Sequence, residues 1–237
     1  MIRTVVWFVY FWIYLVCLIP SLFKVKYFEK HNMIDKRDEL VDKVVHKWAK
    51  SLVKLSGSTI KVMGEENIPK LGAVVFVANH QGSFDIPILL GFIKKPKSVI
   101  AKIEMKKMPM ISTWMGYMKC VFMDRKDIRQ SLKVINEAAE YLKQGYSTVV
   151  FPEGTRSKGN SMGEFKMGSF KLALKSGVPI VPVTIKGSYK IMELNGFIIR
   201  PAEVEIIISK PIQSLNISKK EAEELPDKVK TIIESNL

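Results

Sequence analysis

The chain carries three histidines, and only His80 stands where a strand-like run meets a helix-like one with an acid close by. Asp85 follows five positions later in Asn79-His80-Gln81-Gly82-Ser83-Phe84-Asp85. On a regular helix that spacing would set the two side chains about 140° apart. They can meet only if Gln81-Gly82-Ser83 makes a turn, for which Gly82 supplies the backbone freedom. An aspartate that accepts the Nδ1 proton would fix the tautomer, stabilise the imidazolium and leave Nε2 as a general base. Asp85 equally suits the N-cap of a helix opening at Ile86-Pro87. Taken alone, the spacing favours that capping role.

A second polar loop, Pro152-Glu153-Gly154-Thr155-Arg156-Ser157, follows the β-branched run Thr148 to Phe151. The chain's positive charge is mostly lysine, with arginine at positions 3, 37, 125, 129, 156 and 200 alone. Arg125 and Arg156 both stand just past strand-like runs. A planar fork of donors matches a phosphate bidentately, where lysine offers a point charge. The plainer alternative for each is a surface ion pair, which usually contributes little. Glu153 can be a loop solubiliser, or a partner that orients Arg156 or a substrate hydroxyl.

These blocks resemble those of the glycerolipid acyltransferases. Asn79 to Asp85 is similar to their His-x4-Asp block, and Phe151-Pro152-Glu153-Gly154-Thr155-Arg156-Ser157 to their FPEGTRS block. Val121-Phe122-Met123-Asp124-Arg125 resembles the block between them, and Val178-Pro179-Ile180-Val181-Pro182-Val183 the apolar fourth block. The four stand in family order over roughly Gly72 to Val183, and the nearest resemblance is to the bacterial 1-acyl-sn-glycerol-3-phosphate acyltransferases. One departure is Lys119, where members often have glycine. The resemblance implies that His80, held by Asp85, deprotonates the 2-hydroxyl of lysophosphatidic acid for attack on an acyl thioester. It implies that Lys102, Arg125 and Arg156 receive the phosphate and that Glu153, Gly154 and Thr155 shape the acceptor pocket. The donor would be a thioester of acyl carrier protein or coenzyme A, with no cofactor and no metal. Because a thioester is already activated, one base and held substrates suffice, without a nucleophilic residue.

Such loops need a scaffold, and short apolar runs alternate with periodic segments along the chain. Ala73 to Ala78, Ser98 to Ala101, Thr148 to Phe151, Pro179 to Thr184 and Val204 to Ser209 read as strands. Ile86 to Phe92, Ile128 to Lys143, Lys166 to Lys175 and Lys219 to Ile233 read as helices, the third stopped by Gly177 and Pro179. The expectation is an α/β fold with a mixed, largely parallel sheet flanked by helices. In such sheets chemistry collects at the carboxyl ends of strands.

Ahead of that scaffold lie nineteen uncharged residues, Val5 to Phe23. As a helix they would span roughly 28 Å, close to a bilayer's hydrocarbon thickness. The stretch is too long for a signal-peptide core and lacks a small-residue cleavage site. Pro20 and the aromatic residues leave a re-entrant helix and a full span both open. Arg3 precedes the run and Lys24, Lys26 and Lys30 lie just beyond it, which places the remainder of the chain in the cytoplasm. Lys36 to Leu55 reads as an amphipathic helix with a basic face, either packed on the domain or lying in the headgroup layer. The organisation expected is membrane-anchoring helices over residues 1–55 and a catalytic domain over 56–237, on the cytoplasmic face of the cell membrane.

Net charge is +14, from 37 basic and 23 acidic residues. It favours an anionic partner, and the charge is dispersed with no nucleic-acid signature, which points to anionic membrane lipids. Cys17 and Cys120 have neither disulfide nor zinc spacing. Two rivals share these features: an acyltransferase that uses glycerol 3-phosphate or another lysophospholipid, and a non-catalytic protein that binds anionic lipid.

Overall fold

A computed structural model describes residues 1–237. Seven strands form one sheet: β1 (Thr59–Met63), β2 (Val75–Ala78), β3 (Lys97–Lys102), β4 (Val121–Met123), β5 (Ser147–Val150), β6 (Ile180–Lys186) and β7 (Glu203–Ile208). Their order is β1-β7-β6-β2-β5-β3-β4, and every pairing is parallel except β6 with β7. The sheet is thus mixed and mostly parallel, as the alternation of strands and helices implied. Strand β2 lies at its centre, with Val75 opposite both Thr148 and Ile180. Covered on both faces, β2 is apolar at every position rather than alternating.

Helices follow most strands: α4 (Asp85–Phe92), α5 (Ile111–Tyr117), α6 (Ile128–Lys143), α7 (Gly168–Ser176) and α8 (Lys219–Glu234). Side chains of β2 alternate between two cores. Phe76 and Ala78 join Leu52, Ile88 and Leu89 on one face, whereas Val75 and Val77 join Phe170, Leu225 and Val229 on the other. The sequence placed each helix of this layer except α5, a short helix of 7 residues, and missed the half-exposed edge strand β1.

Three helices precede the sheet: α1 (Ile2–Cys17), α2 (Ile19–Lys30) and α3 (Ile34–Leu55). The apolar run divides at Leu18, and Pro20 sits in the first turn of α2, where its missing N–H breaks no helical bond. Together α1 and α2 make a 29-residue helical segment, long enough to cross a membrane, whose most apolar 18-residue window has a mean hydropathy of 2.1 and is 11% buried. The buried stripe of α1 is narrow, and the Trp7 indole N–H donates to the Leu52 carbonyl at 2.8 Å. Helix α3 packs its apolar side on α4: Val44, Val45, Ala49 and Leu90 share one core, and a Cβ on Gly91 would meet the Lys50 backbone nitrogen at 2.6 Å. Buried Arg37 pairs with its neighbour Asp38 and fastens α3 to its surroundings through Glu29 and Tyr146.

Lys97 opens β3 with its side chain buried, its Nζ donating to the Ile93 carbonyl at 2.8 Å. Burial pushes this amine down to about 7, with the Asp42 charge acting in the opposite direction. Above that pH the native amine is neutral, whereas the unfolded chain keeps the proton up to about 10.4. The unfolded state therefore binds more protons between about pH 7 and 10, so this site's contribution to stability rises with pH across that window. Lys97→Met is expected to gain in melting temperature relative to the wild type on going from pH 9 to pH 6. Calorimetric scans with the same difference at both pH values would contradict this.

Candidate active site

The loops after β2, β5 and β6 converge at the carboxyl edge of the sheet. Asp85 is the first residue of α4 and has no exposed surface. Its Oδ2 lies 2.7 Å from His80 Nδ1 and accepts the Gly82 N–H at 2.9 Å, while its Oδ1 accepts the Ser188 hydroxyl. The turn over Gln81-Gly82-Ser83 is present, closed by the Asp85 N–H on the Gly82 carbonyl. Gly82 is needed there for space, since a Cβ would stand 2.4 Å from Glu193 Oε2. The capping role is corrected: Phe84 occupies the cap position, and the Asp85 carboxylate turns back onto its own loop.

The His80 ring stacks on Phe151, centroids 4.1 Å apart and planes 23° from parallel. With Nδ1 engaged, Nε2 has no protein partner, and the side chain keeps 17% of its surface exposed. Residues on either side of it hold the loop. The Asn79 amide exchanges two hydrogen bonds with the Ile185 backbone, at 2.7 and 2.8 Å. The Gln81 side-chain oxygen accepts the Gly187 N–H at 2.8 Å and the Ser188 N–H at 3.2 Å.

Glu153 is buried, which corrects its reading as a loop solubiliser or as the partner of Arg156. Its two oxygens accept the backbone N–H of His80 at 2.7 Å and of Gly163 at 2.9 Å. Arg156 instead donates to the Ser83 hydroxyl and lies 3.4 Å from Glu193 Oε1, an oxygen that also accepts the Ser83 N–H at 2.7 Å. The two loops are further joined by Ser157 N–H to the His80 carbonyl at 2.8 Å and Lys158 N–H to the Gln81 carbonyl at 3.1 Å. Arg125 donates to the Gly154 carbonyl, and partial burial lowers its guanidinium from the ordinary value against an opposing pull from Glu104. Lys119 holds the left-handed conformation that a glycine adopts freely, at φ 61, with its Nζ over the rings of Tyr141 and Tyr146.

A cavity of about 620 Å³ opens beside His80. Lys102, Arg125, Thr155, Arg156 and Lys158 contribute its polar part, and 21 of its 29 lining residues are hydrophobic, among them Trp7, Phe11, Trp48 and Met115. Glu153 and Gly154 lie behind that lining. Sequence reasoning named His80, Asp85, Lys102, Arg125, Thr155 and Arg156 among those brought together. It missed Lys158, Ser188 and Glu193; the first stands two residues past Arg156, a hint within reach, whereas the other two carry no local signal. No group of three His, Cys, Asp or Glu side chains is placed to hold a metal ion. The arrangement suits an amphiphile: an imidazole nitrogen, cations around it and an apolar chamber behind.

Three comparisons bear on this geometry. The family model described as Acyltransferase matches residues 59–186. A probable 1-acyl-sn-glycerol-3-phosphate acyltransferase of Mycoplasma pneumoniae is 32% identical over 233 residues, covering 92% of this chain and 85% of its own. The 1-acyl-sn-glycerol-3-phosphate acyltransferase of Borreliella burgdorferi is 33% identical over 171 residues, covering 72% and 68%. Among solved structures, the 1-acyl-sn-glycerophosphate acyltransferase PlsC of Thermotoga maritima superposes with a TM-score of 0.81 at 31% identity, over 99% of this chain and 95% of that one.

The bracing role of Glu153 is open to test. Glu153→Ala removes the charged acceptor of two backbone N–H groups, those of His80 and Gly163, and is expected to cost about 2 kcal/mol or more of stability. Thr155→Ala, two residues away and exposed, should stay within about 0.5 kcal/mol of the wild type. Equal thermal midpoints for the two variants would contradict that role.

Proposed function

Since the chain belongs to the Acyltransferase family, and within it to the 1-acyl-sn-glycerol-3-phosphate acyltransferases, we propose that it transfers a fatty acyl group from a thioester to the 2-hydroxyl of 1-acyl-sn-glycerol 3-phosphate, giving phosphatidic acid. The observation that carries this reading is His80 Nδ1 held at 2.7 Å by a fully buried carboxylate, with the ring lining a cavity that also holds Arg125 and Arg156.

In this reading the acceptor hydroxyl lies against Nε2 of neutral His80. As its oxygen attacks the thioester carbonyl, Nε2 takes the proton and Asp85 stabilises the imidazolium. Collapse of the tetrahedral adduct breaks the C–S bond, and the imidazolium returns its proton to the leaving thiolate. Arg125, Arg156 and Lys102 receive the phosphate, two of them as planar forks. The apolar part of the cavity takes a fatty chain whose reacting end lies at His80. The donor is a thioester of acyl carrier protein or coenzyme A, and no cofactor takes part. Helices α1 and α2 rest in the bilayer, within an anchoring region of residues 1–55, and the catalytic domain of residues 56–237 meets the cytoplasmic face, where anionic lipids attract its positive charge.

General base action is worth about 10²- to 10⁴-fold. His80→Ala is therefore expected to lower kcat by at least about 10²-fold with the fold intact, in an assay of purified protein with lysophosphatidic acid and an acyl thioester. Turnover near the wild-type rate, or transfer to glycerol 3-phosphate in preference, would overturn this function. Arg156→Ala should raise the KM for the phosphorylated acceptor by about 10- to 100-fold, the loss of a charged hydrogen bond of about 1.5 to 3 kcal/mol. An effect confined to the acyl donor would contradict the phosphate role.

A further inference from the structure

Between β6 and β7 the chain makes an excursion, residues 187–202, on the same edge of the sheet as His80. Its inner side is tied to the site: Ser188 reaches Asp85, and Glu193, its side chain only 1% exposed, accepts the Ser83 N–H and lies against Arg156. Its outer side shows the opposite chemistry. Leu194 and Phe197 are 64% and 61% exposed, although they neighbour the buried Ile191, Met192 and Ile199.

The backbone turns these two side chains outward. Gly196 and Phe197 both take left-handed conformations, φ 59 and 68, and the segment is closed by the Phe197 N–H on the Met192 carbonyl and the Arg200 N–H on the Ile191 carbonyl. An aromatic residue meets a steric penalty at such a φ, and an exposed ring in water does nothing to offset it.

The excursion is joined to the apolar amino-terminal helix, since the Ile199 N–H donates to Thr4 Oγ1 at 2.9 Å and Ile199 shares a core with Trp7. Ile2, Val5 and Val9 are exposed on the helix that this bond joins to the excursion, as Leu194 and Phe197 are on the excursion itself. Exposed Arg3, Lys190 and Arg200 stand on the same two segments. Exposed apolar side chains accompanied by cations on the same segments match a bilayer interface, where the former enter the acyl boundary and the latter meet anionic headgroups.

We infer that residues 193–197 form a second membrane-contacting foot, in which Leu194 and Phe197 enter the lipid beside α1 while Glu193 fastens the foot to the Arg156 cradle. The inference rests on the membrane reading of α1. It places the entrance for a lipid acceptor between the helix and the foot, and it makes lipid contact part of what holds Arg156 in position.

The test uses full-length protein in nanodiscs of phosphatidylcholine and phosphatidylglycerol that contain doxyl-labelled lipid. In a Cys17→Ser background, an environment-sensitive fluorophore is attached at Phe197→Cys, at Ile13→Cys on α1, or at Leu71→Cys. Leu71 is 89% exposed on the loop entering β2, at the edge opposite the site. Cys120 is buried, with its thiol pushed up to about 12, and does not compete for the label. Strong quenching at 13 and 197, with little at 71, is expected. Quenching at 13 with none at 197 would overturn the foot and leave the anchor standing, whereas no quenching at 13 would overturn the membrane reading itself. In proteoliposomes, Leu194→Ser combined with Phe197→Ser should raise the acceptor KM by about tenfold or more, with kcat on a short-chain acceptor in detergent unchanged. Equal loss in both settings would also overturn the foot.

Discussion

A carboxylate with no access to water must be surrounded by donors, because an unpaired buried charge costs several kcal/mol. Asp85 meets that requirement with three groups from two segments of chain: the His80 ring, the Gly82 N–H and the Ser188 hydroxyl. Every one of them is needed, so the loop after β2 and the excursion after β6 have little freedom to part. The same device recurs nearby. Glu153 and Glu193, both with buried side chains, accept backbone N–H groups of His80 and Ser83. Three acids thus brace the loops from inside, and the cations stay at the cavity, where an anionic acceptor would meet them.

The sheet supplies what the acids brace. Parallel neighbours on both sides of β2 deliver the loops after β2, β5 and β6 to one edge. Asn79 and Gln81 extend the contact between β2 and β6 beyond the last ladder bond, so His80 projects from a stretch whose two neighbours are both pinned. Helices α1 and α3 close the apolar part of the cavity with Trp7, Phe11 and Trp48. The apolar segment is therefore a wall of the site as well as an exposed surface.

How much could be read in advance depends on how local each signal is. Strand β2 is a continuous apolar run and β5 and β6 are buried runs rich in β-branched residues, because all three are covered on both faces, and helices α6 and α8 carry the 3.6-residue stripe of a half-buried helix. His80 and Asp85 lie five residues apart around a glycine, so their meeting could be posed from the sequence and needed only a turn. Ser188 and Glu193 contact partners 103 and 110 residues away, and no spacing rule reaches that far. Glu153 was misjudged because a local reading pairs it with the arginine three residues on, whereas burial turns it towards backbone donors of other loops. Lys119 shows the reverse case: a departure from the family's glycine that the backbone absorbs, since the left-handed conformation is kept and the chain still delivers Arg125 to the cavity.

The role of Asp85 in orienting a catalytic imidazole is tested most directly by steady-state kinetics of Asp85→Asn, with lysophosphatidic acid and an acyl thioester as substrates. The amide keeps the shape and can still accept the Gly82 N–H, but it removes the charge that stabilises the imidazolium. A fall in kcat of about 10²-fold or more is expected, with the acceptor KM within about threefold of the wild type. A kcat within about threefold of the wild type, in a variant that folds normally, would contradict a base held and charged through Asp85.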